Sequence, residues 1–134
     1  MNQIKIRPPQ EVEYTIVNTI ICEAFNIQSN SHHPEFFSNP NIHCIVAVLN
    51  DVVIGTSSLH IIQKSNRKMG LIEDVVVTPK AQAKGVGKLM IKEIIQKAVE
   101  LGCYKTILNT SEENAGFYSK LGFNKEQFQF TFRH

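Results

Sequence analysis

The sequence predicts an α/β fold built on a mixed sheet, and three observations carry that expectation. β-branched runs at 42–49, 52–62 and 71–77 follow one another with only short polar turns between them, the pattern of neighbouring strands. Two other segments, 11–25 and 86–101, place their apolar residues near the helical period instead. From residue 71 onward strand-like and helix-like stretches alternate, which implies at least one parallel strand pair joined by a helical crossover.

Residues 4–7 alternate apolar and basic side chains and stop at Pro8-Pro9, so a short first strand ends in a turn there. Val12, Ile16, Val17, Ile20, Ile21 and Ala24 then form one face of a first helix. Residues 26–41 are polar, with Pro34, Pro40 and Phe36-Phe37. They read as a loop or short irregular helices that could border a substrate site. Asn50-Asp51 separates two β-branched runs and suits the tight turn of a hairpin. After the polar turn 63–69 comes the strand 71–77, interrupted by Glu73 and Asp74 and closed by Pro79. The helix 86–101 sets Lys88, Lys92, Gln96 and Glu100 on one solvated line, and Gly102 fits its C′ position. A strand at 104–110, a short helix at 112–120 ended by Gly122, and a last alternating strand at 123–133 complete the order.

A chain of 134 residues, 43% hydrophobic and 19% charged, is expected to form one domain over 1–134 with a continuous core. The net charge of +2 is mild and the lysines are dispersed, which argues against nucleic acid as a partner and leaves room for a small anionic ligand. Cys22, Cys44 and Cys103 are distant from one another and in no C-x-x-C arrangement. That speaks against both a disulfide framework and a zinc site and favours the cytoplasm. There is no signal-like apolar run near the start and nothing approaching the roughly 20 apolar residues of a membrane span, so neither secretion nor a membrane partner is expected. The histidines, of which only His32-His33 are adjacent, show no metal spacing and read as surface or loop residues.

The strongest chemical signal is Gln82-Ala83-Lys84-Gly85-Val86-Gly87-Lys88, between the strand ending at Val77 and the helix starting near Val86. A helix start offers unpaired N–H groups and the positive end of a dipole, and glycines admit a phosphate close to the backbone. A Walker A loop is excluded, because Gln82 stands at its first glycine and Leu89 follows Lys88. A dinucleotide fingerprint would require a third glycine where Met90 stands. The remaining pattern, Q/R-x-x-G-x-G/A, is matched by Gln82, Gly85 and Gly87, and is that of the GNAT acetyltransferases.

Three further segments resemble the glucosamine-6-phosphate N-acetyltransferases of that superfamily. They are Ile72-Glu73-Asp74-Val75-Val76-Val77, Leu101-Gly102-Cys103-Tyr104-Lys105, and Asn114-Ala115-Gly116-Phe117-Tyr118-Ser119-Lys120-Leu121-Gly122-Phe123. The resemblance covers about the last half of the chain. It implies the GNAT fold: a mixed sheet of about six to seven strands, splayed between the fourth and fifth, with about four helices. It also implies acetyl-CoA as cosubstrate and a phosphorylated amino sugar as the amine, with transfer by direct attack and no metal. Backbone groups of Val75, Val76 and Val77 would pair with the pantetheine arm. Gln82, Ala83, Lys84, Gly85, Val86, Gly87 and Lys88 would hold the pyrophosphate, and Asn114, Tyr118 and Lys120 would complete the cofactor side.

Within that frame Tyr118 is the expected proton donor to the departing thiolate, although alone it would read as a half-buried aromatic. A backbone N–H near Val75 or Val76 would face the developing oxyanion. Glu73 and Asp74 stand in an apolar strand that does not need carboxylates, and are expected to attract the amine and help deprotonate it, the bland alternative being an exposed edge strand. Tyr104 and Lys105 fall where the family touches the sugar phosphate. Arg133 falls where the family reaches that phosphate from the partner subunit of a homodimer, and a guanidinium suits the task. Asn109 departs from the family, which has an acidic residue there, and an amide cannot deprotonate an amine. Two alternatives therefore stay open: a GNAT enzyme for another amine, such as a polyamine, amino acid, aminoglycoside or protein terminus, and a non-catalytic acetyl-CoA-binding module.

Overall fold

A computed structural model describes residues 3–28 and 34–134. His32-His33 and part of the polar stretch 26–41 lie outside the described residues. Strand β1 (Lys5–Arg7) leads through a 3-10 turn (Glu11–Glu13) into α1 (Tyr14–Phe25) and the single-turn α2 (Glu35–Ser38). Strands β2 (Ile42–Leu49), β3 (Val52–Gln63) and β4 (Lys68–Val77) follow. A 3-10 turn (Pro79–Ala81) precedes α3 (Val86–Glu100), and β5 (Cys103–Ile107) and α4 (Glu112–Lys120) close the order.

The chain forms one five-stranded sheet in sequence order, antiparallel from β1 to β4 and parallel between β4 and β5. β1 is kept short by Pro8-Pro9, which cannot donate to a ladder. Arg7 is nevertheless fastened: its guanidinium makes a two-pronged pair with Glu13 at 2.7 and 3.0 Å, and the same carboxylate accepts the Gln10 N–H at 2.8 Å. Asn50 and Asp51 both adopt positive φ, 52° and 65°, which is what the two-residue turn joining twisted strands demands.

The two faces of the sheet are covered by different helices. On one, Val17 of α1 packs with Cys44, Val46 and Val48. On the other, α3 buries Val86, Met90, Ile91, Ile94 and Ala98 in two adjoining clusters with Ala47, Ile54, Leu59, Ile72 and Ala81. The spacing of that stripe is helical, and each large side chain fully withdrawn from water contributes about 1.5–3 kcal/mol. Tyr118 of α4 and Leu121 just after it lean on the second cluster.

Two expectations need correcting. The sheet has five strands rather than six to seven, because the alternating segment 123–133 forms no strand. Alternation prepares a segment for pairing, but a strand exists only where another backbone supplies the ladder. Among the described residues this segment has no such neighbour, and Phe128, Phe130 and Phe132 stand 84–95% exposed. The strands also begin earlier or end sooner than their apolar runs: β4 starts at Lys68 and β5 stops at Ile107.

Candidate active site

β4 and β5 pair through Lys68–Cys103, Gly70–Thr106 and Leu71–Ile107, and no further. Beyond that point the β5 side of residues 72–77 carries no ladder. On that side the backbone of residues 75–77 lies past the end of β5 and has no strand partner, which leaves it open to an extended ligand, although the Val77 carbonyl already accepts from Gln82. The pairing of the fourth and fifth strands thus stops well short of the C-terminal end of β4.

Past the end of β4 the chain turns into α3. Ala83 and Gly85 both take positive φ, 66° and 78°, so the loop doubles back before the helix begins. Gly85 is its N-cap without a side-chain hydrogen bond, and the first turn contains no acidic residue. The first intrahelical bond runs from the Leu89 N–H to the Gly85 carbonyl at 3.2 Å. The N–H groups of Val86, Gly87 and Lys88 therefore have no carbonyl of their own helix to bond, and Lys84 and Lys88 add positive charge. These residues fit a pyrophosphate. Gln82 acts as a brace, its amide donating to the Val77 carbonyl at 3.2 Å. The anchor beneath the loop is the buried Ala81.

The α4 helix comes up against this loop. A Cβ placed on Gly87 would lie 3.3 Å from Cζ of Phe117 and 4.0 Å from Cγ2 of Val77. The loop, the end of β4 and α4 therefore converge. Next to Phe117, the half-buried Tyr118 is held by edge-to-face contacts with Phe117 and Phe123, at ring distances of 5.0 and 5.8 Å. Burial pushes its phenol above the ordinary value, so it keeps its proton through the neutral range and can donate it. Asn114 and Lys120, on the same helix, are exposed.

Glu73 and Asp74 sit at an irregularity that simple strand alternation did not anticipate. Thr56 pairs with Val76 and Ser58 with Glu73, so Ser57 alone opposes Asp74 and Val75. This is a β-bulge, and Asp74 takes the positive φ, 52°. Its hydroxyl support comes from β3: Ser57 and Ser58 both donate to the Glu73 carbonyl, at 3.2 and 3.4 Å. Burial raises both carboxyl groups above their ordinary values. Asp74 adds to the effect on Glu73, while His60 partly opposes it on Asp74.

The composition-based reading of the histidines overlooked His60. Its Nε2 lies 2.9 Å from Ser58 Oγ, the Phe36 ring stands 6.0 Å away, and burial lowers its pKa with Asp74 acting against that. The sequence carried a signal: Thr56-Ser57-Ser58 places three hydroxyls in the middle of an otherwise apolar strand, and all three are buried.

Other expected residues lie elsewhere. Tyr104 is exposed at the start of β5, ringed by Lys64, Arg67 and Lys105 at 5.5, 4.8 and 5.5 Å from its centroid. A hydrogen bond from Lys64, and then one from Arg67, bring its phenol down to about 8. This basic group sits beside Lys68, at the opposite end of β4 from Val77. Asn109 is exposed just past β5, and Arg133 is exposed in the unpaired C-terminal segment. A cavity of about 390 Å3 opens between Arg7, His43 and Lys97 at the far end of α3. None of the expected site residues lines it. Among the described residues no three His, Cys, Asp or Glu side chains form a metal-binding group, and no helix is long and apolar enough to cross a membrane.

Comparison with known proteins agrees with this geometry. The chain is 43% identical over 76 residues to glucosamine 6-phosphate N-acetyltransferase of Schizosaccharomyces pombe, covering 54% of this chain and 68% of that protein. It is 41% identical over 80 residues to the Trypanosoma brucei brucei protein of the same name, covering 58% of this chain and only 54%, about half, of the relative. The crystal structure of glucosamine-6-phosphate N-acetyltransferase from Arabidopsis thaliana superposes with a TM-score of 0.82 at 26% identity, over 98% of both chains. The profile of the acetyltransferase (GNAT) family matches residues 13–123. The chain belongs to the GNAT family of N-acetyltransferases, enzymes that use acetyl-CoA.

Proposed function

We propose that this chain transfers the acetyl group of acetyl-CoA to the amine of glucosamine 6-phosphate, by direct attack of the neutral amine on the thioester. The observation that carries the proposal is the end of β4–β5 pairing at Leu71 and Ile107, next to an uncapped helix start free of acidic residues. An extended pantetheine arm fits the gap and a pyrophosphate fits the helix start. In this reading Val75, Val76 and Val77 bind the arm. The N–H groups of residues 83–88 hold the pyrophosphate, and Asn114 and Lys120 flank it.

The chemistry then needs three services. A backbone N–H at the Asp74–Val75 bulge stabilises the charge that forms on the thioester oxygen. The Tyr118 phenol, kept protonated by burial, donates to the departing sulfur. Glu73 and Asp74 attract the ammonium form of the acceptor. The sugar phosphate is assigned to Tyr104, Lys105 and Arg133 on the strength of the resemblance to the named relatives. Arg133 belongs to a segment whose three exposed phenylalanines call for a cover. A second copy of the chain is the cover this reading adopts, with Arg133 acting in the partner's site. Cysteines that form no disulfide suit a cytoplasmic, single-domain enzyme.

Release of CoA thiol from acetyl-CoA in the presence of glucosamine 6-phosphate, next to unphosphorylated glucosamine and the Arg133→Ala variant, tests the assignment. Release that needs both the phosphate and Arg133 supports it. Release only with other amines favours the second reading, a GNAT enzyme for a different small amine, for which the uncharged Asn109 argues. Binding of acetyl-CoA without transfer to any amine would indicate a cofactor-binding module.

A further inference from the structure

Ser58 and His60 come together on the face of the sheet opposite α3. Leu59 is fully buried against Ile72, Ile91 and Ile94 on the α3 side, so its neighbours Ser58 and His60 point to the other face. There Ser58 Oγ lies 2.9 Å from His60 Nε2, and the Phe36 ring of α2 stands 6.0 Å from the imidazole. Asp74, at the bulge of the neighbouring strand β4, acts on the imidazole through its charge, against the effect of burial. The imidazole is thus oriented by a hydroxyl, subject to the charge of Asp74 and partly shielded from water. Through Ser58, which donates to the Glu73 carbonyl, it is tied to the strand that carries the two carboxylates assigned to the acceptor amine.

We propose that His60 is the base that takes a proton from the acceptor's ammonium group, with Ser58 as its positioning residue and Asp74 as the carboxylate that stabilises the imidazolium. This role rests on the acetyl-transfer reading and deepens it. An ammonium nitrogen has no lone pair with which to attack a thioester, so one proton must leave first. An imidazole titrates much nearer to neutral pH than a carboxyl group, and a base works best when its pKa is near the working pH. His60 therefore outranks Glu73 and Asp74 for this step. Asn109 has no basic group to offer.

The hydrogen-bond chain is consistent with one tautomer. With its hydrogen on Nε2, His60 donates to Ser58 Oγ, and Ser58 donates to the Glu73 carbonyl at 3.4 Å. Nδ1 is then bare and can receive the proton. The amine becomes R–NH2 and its nitrogen bonds to the acetyl carbon. As the C–S bond breaks, the sulfur takes the Tyr118 proton. The nitrogen's second proton leaves through solvent, and Tyr118 is reprotonated from solvent. His60 releases its own proton to solvent, so that R–NH3+ and acetyl-CoA give R–NH–acetyl, CoA thiol and one H+. Burial holds His60 below its ordinary pKa and Asp74 limits that shift, which keeps the ring neutral and ready at pH 7.

The test is kcat against pH for the full chain and its His60→Gln variant, using a series of acceptor amines of graded basicity, with acetyl-CoA binding measured by calorimetry. His60→Gln is expected to lower kcat by about 10²-fold at pH 7, to abolish the acid-side fall of the profile, and to lose less with weakly basic amines, while acetyl-CoA binds as before. Ser58→Ala should give a smaller kcat loss with unchanged KM and a displaced acid limb. That variant keeps the idea falsifiable if His60→Gln does not fold. A kcat loss independent of both pH and amine basicity would mean a packing role and overturn the proposal, as would an unchanged profile in both variants. A wild-type chain that binds acetyl-CoA yet acetylates none of the amines overturns the acetyl-transfer reading itself, and this role with it.

Discussion

Phe117 of α4 reaches within 3.3 Å of where a Cβ on Gly87 would sit, so a side chain at position 87 would have to shift the ring by a few tenths of an ångström. Gly85 differs: a Cβ there meets nothing within 4 Å, but its φ of 78° is one that L-residues avoid. One glycine is required for space and the other for backbone conformation.

Alanine at these two positions should therefore act differently. Gly87→Ala should push Phe117 aside and weaken CoA binding by about 1 kcal/mol, near fivefold, with little change in melting temperature. Gly85→Ala should cost the folded state about 1–2 kcal/mol through backbone strain. Calorimetric titration with CoA and thermal unfolding of both variants separate the two effects.

Tyr118→Phe removes the phenol while keeping the ring contacts with Phe117 and Phe123. A kcat loss of about 10²-fold with unaltered acetyl-CoA affinity is expected. Steady-state kinetics with a thiol readout checks this. An unchanged kcat would leave the sulfur without its assigned donor.

Asp74 holds the pKa of His60 up against the effect of burial. Asp74→Asn should therefore lower the His60 pKa, measured by proton NMR titration of the ring. Folding stability follows the same linkage. Because the folded pKa is depressed, the unfolded chain takes up the proton first, from about pH 6.5 downward. Stability is lost as pH falls from there through the lower, folded value. His60→Gln should flatten that part of the stability profile in urea unfolding at stepped pH.

The C-terminal segment bears Phe128, Phe130 and Phe132 on alternate positions, all exposed. If a second copy covers them, wild-type protein should scatter light as a dimer. Replacing all three by serine should then give a monomer with a weakened response to the sugar phosphate. A wild-type monomer fully active on that sugar would refute the shared site.

Ile94 is 1% exposed and packs with Leu59 and Ile72 in the core that joins α3 to the sheet. Ile94→Ala should cost about 2–5 kcal/mol, visible in chemical denaturation, and should loosen the loop that α3 anchors.

Most of the framework was legible because local patterns report local structure. The stripe from Val86 to Ala98 is helical by spacing alone, and Asn50-Asp51 declares a turn because these residue types tolerate the positive φ found there. Gln82, Gly85 and Gly87 marked the phosphate loop as a spaced set between a strand and a helix start, where bare N–H groups suit an anion. The gap between β4 and β5 was expected from resemblance rather than from any residue pattern.

What the sequence by itself determined is the order of strands and long helices as far as α4, the helix-initiating anion loop and the residue types that can serve an acetyl transfer. The tertiary structure decided three further matters. It made a bulge of Asp74, because the register of Thr56 and Ser58 against β4 leaves one residue too many. It set His60 against Ser58 and the Phe36 ring and under the charge of Asp74, which periodicity could not show, since strand alternation tells which face a residue takes but not what crosses that face from the next element. And it left residues 123–133 unpaired despite their strand-like alternation, because a ladder is made by two backbones and the sequence of one segment does not contain the second.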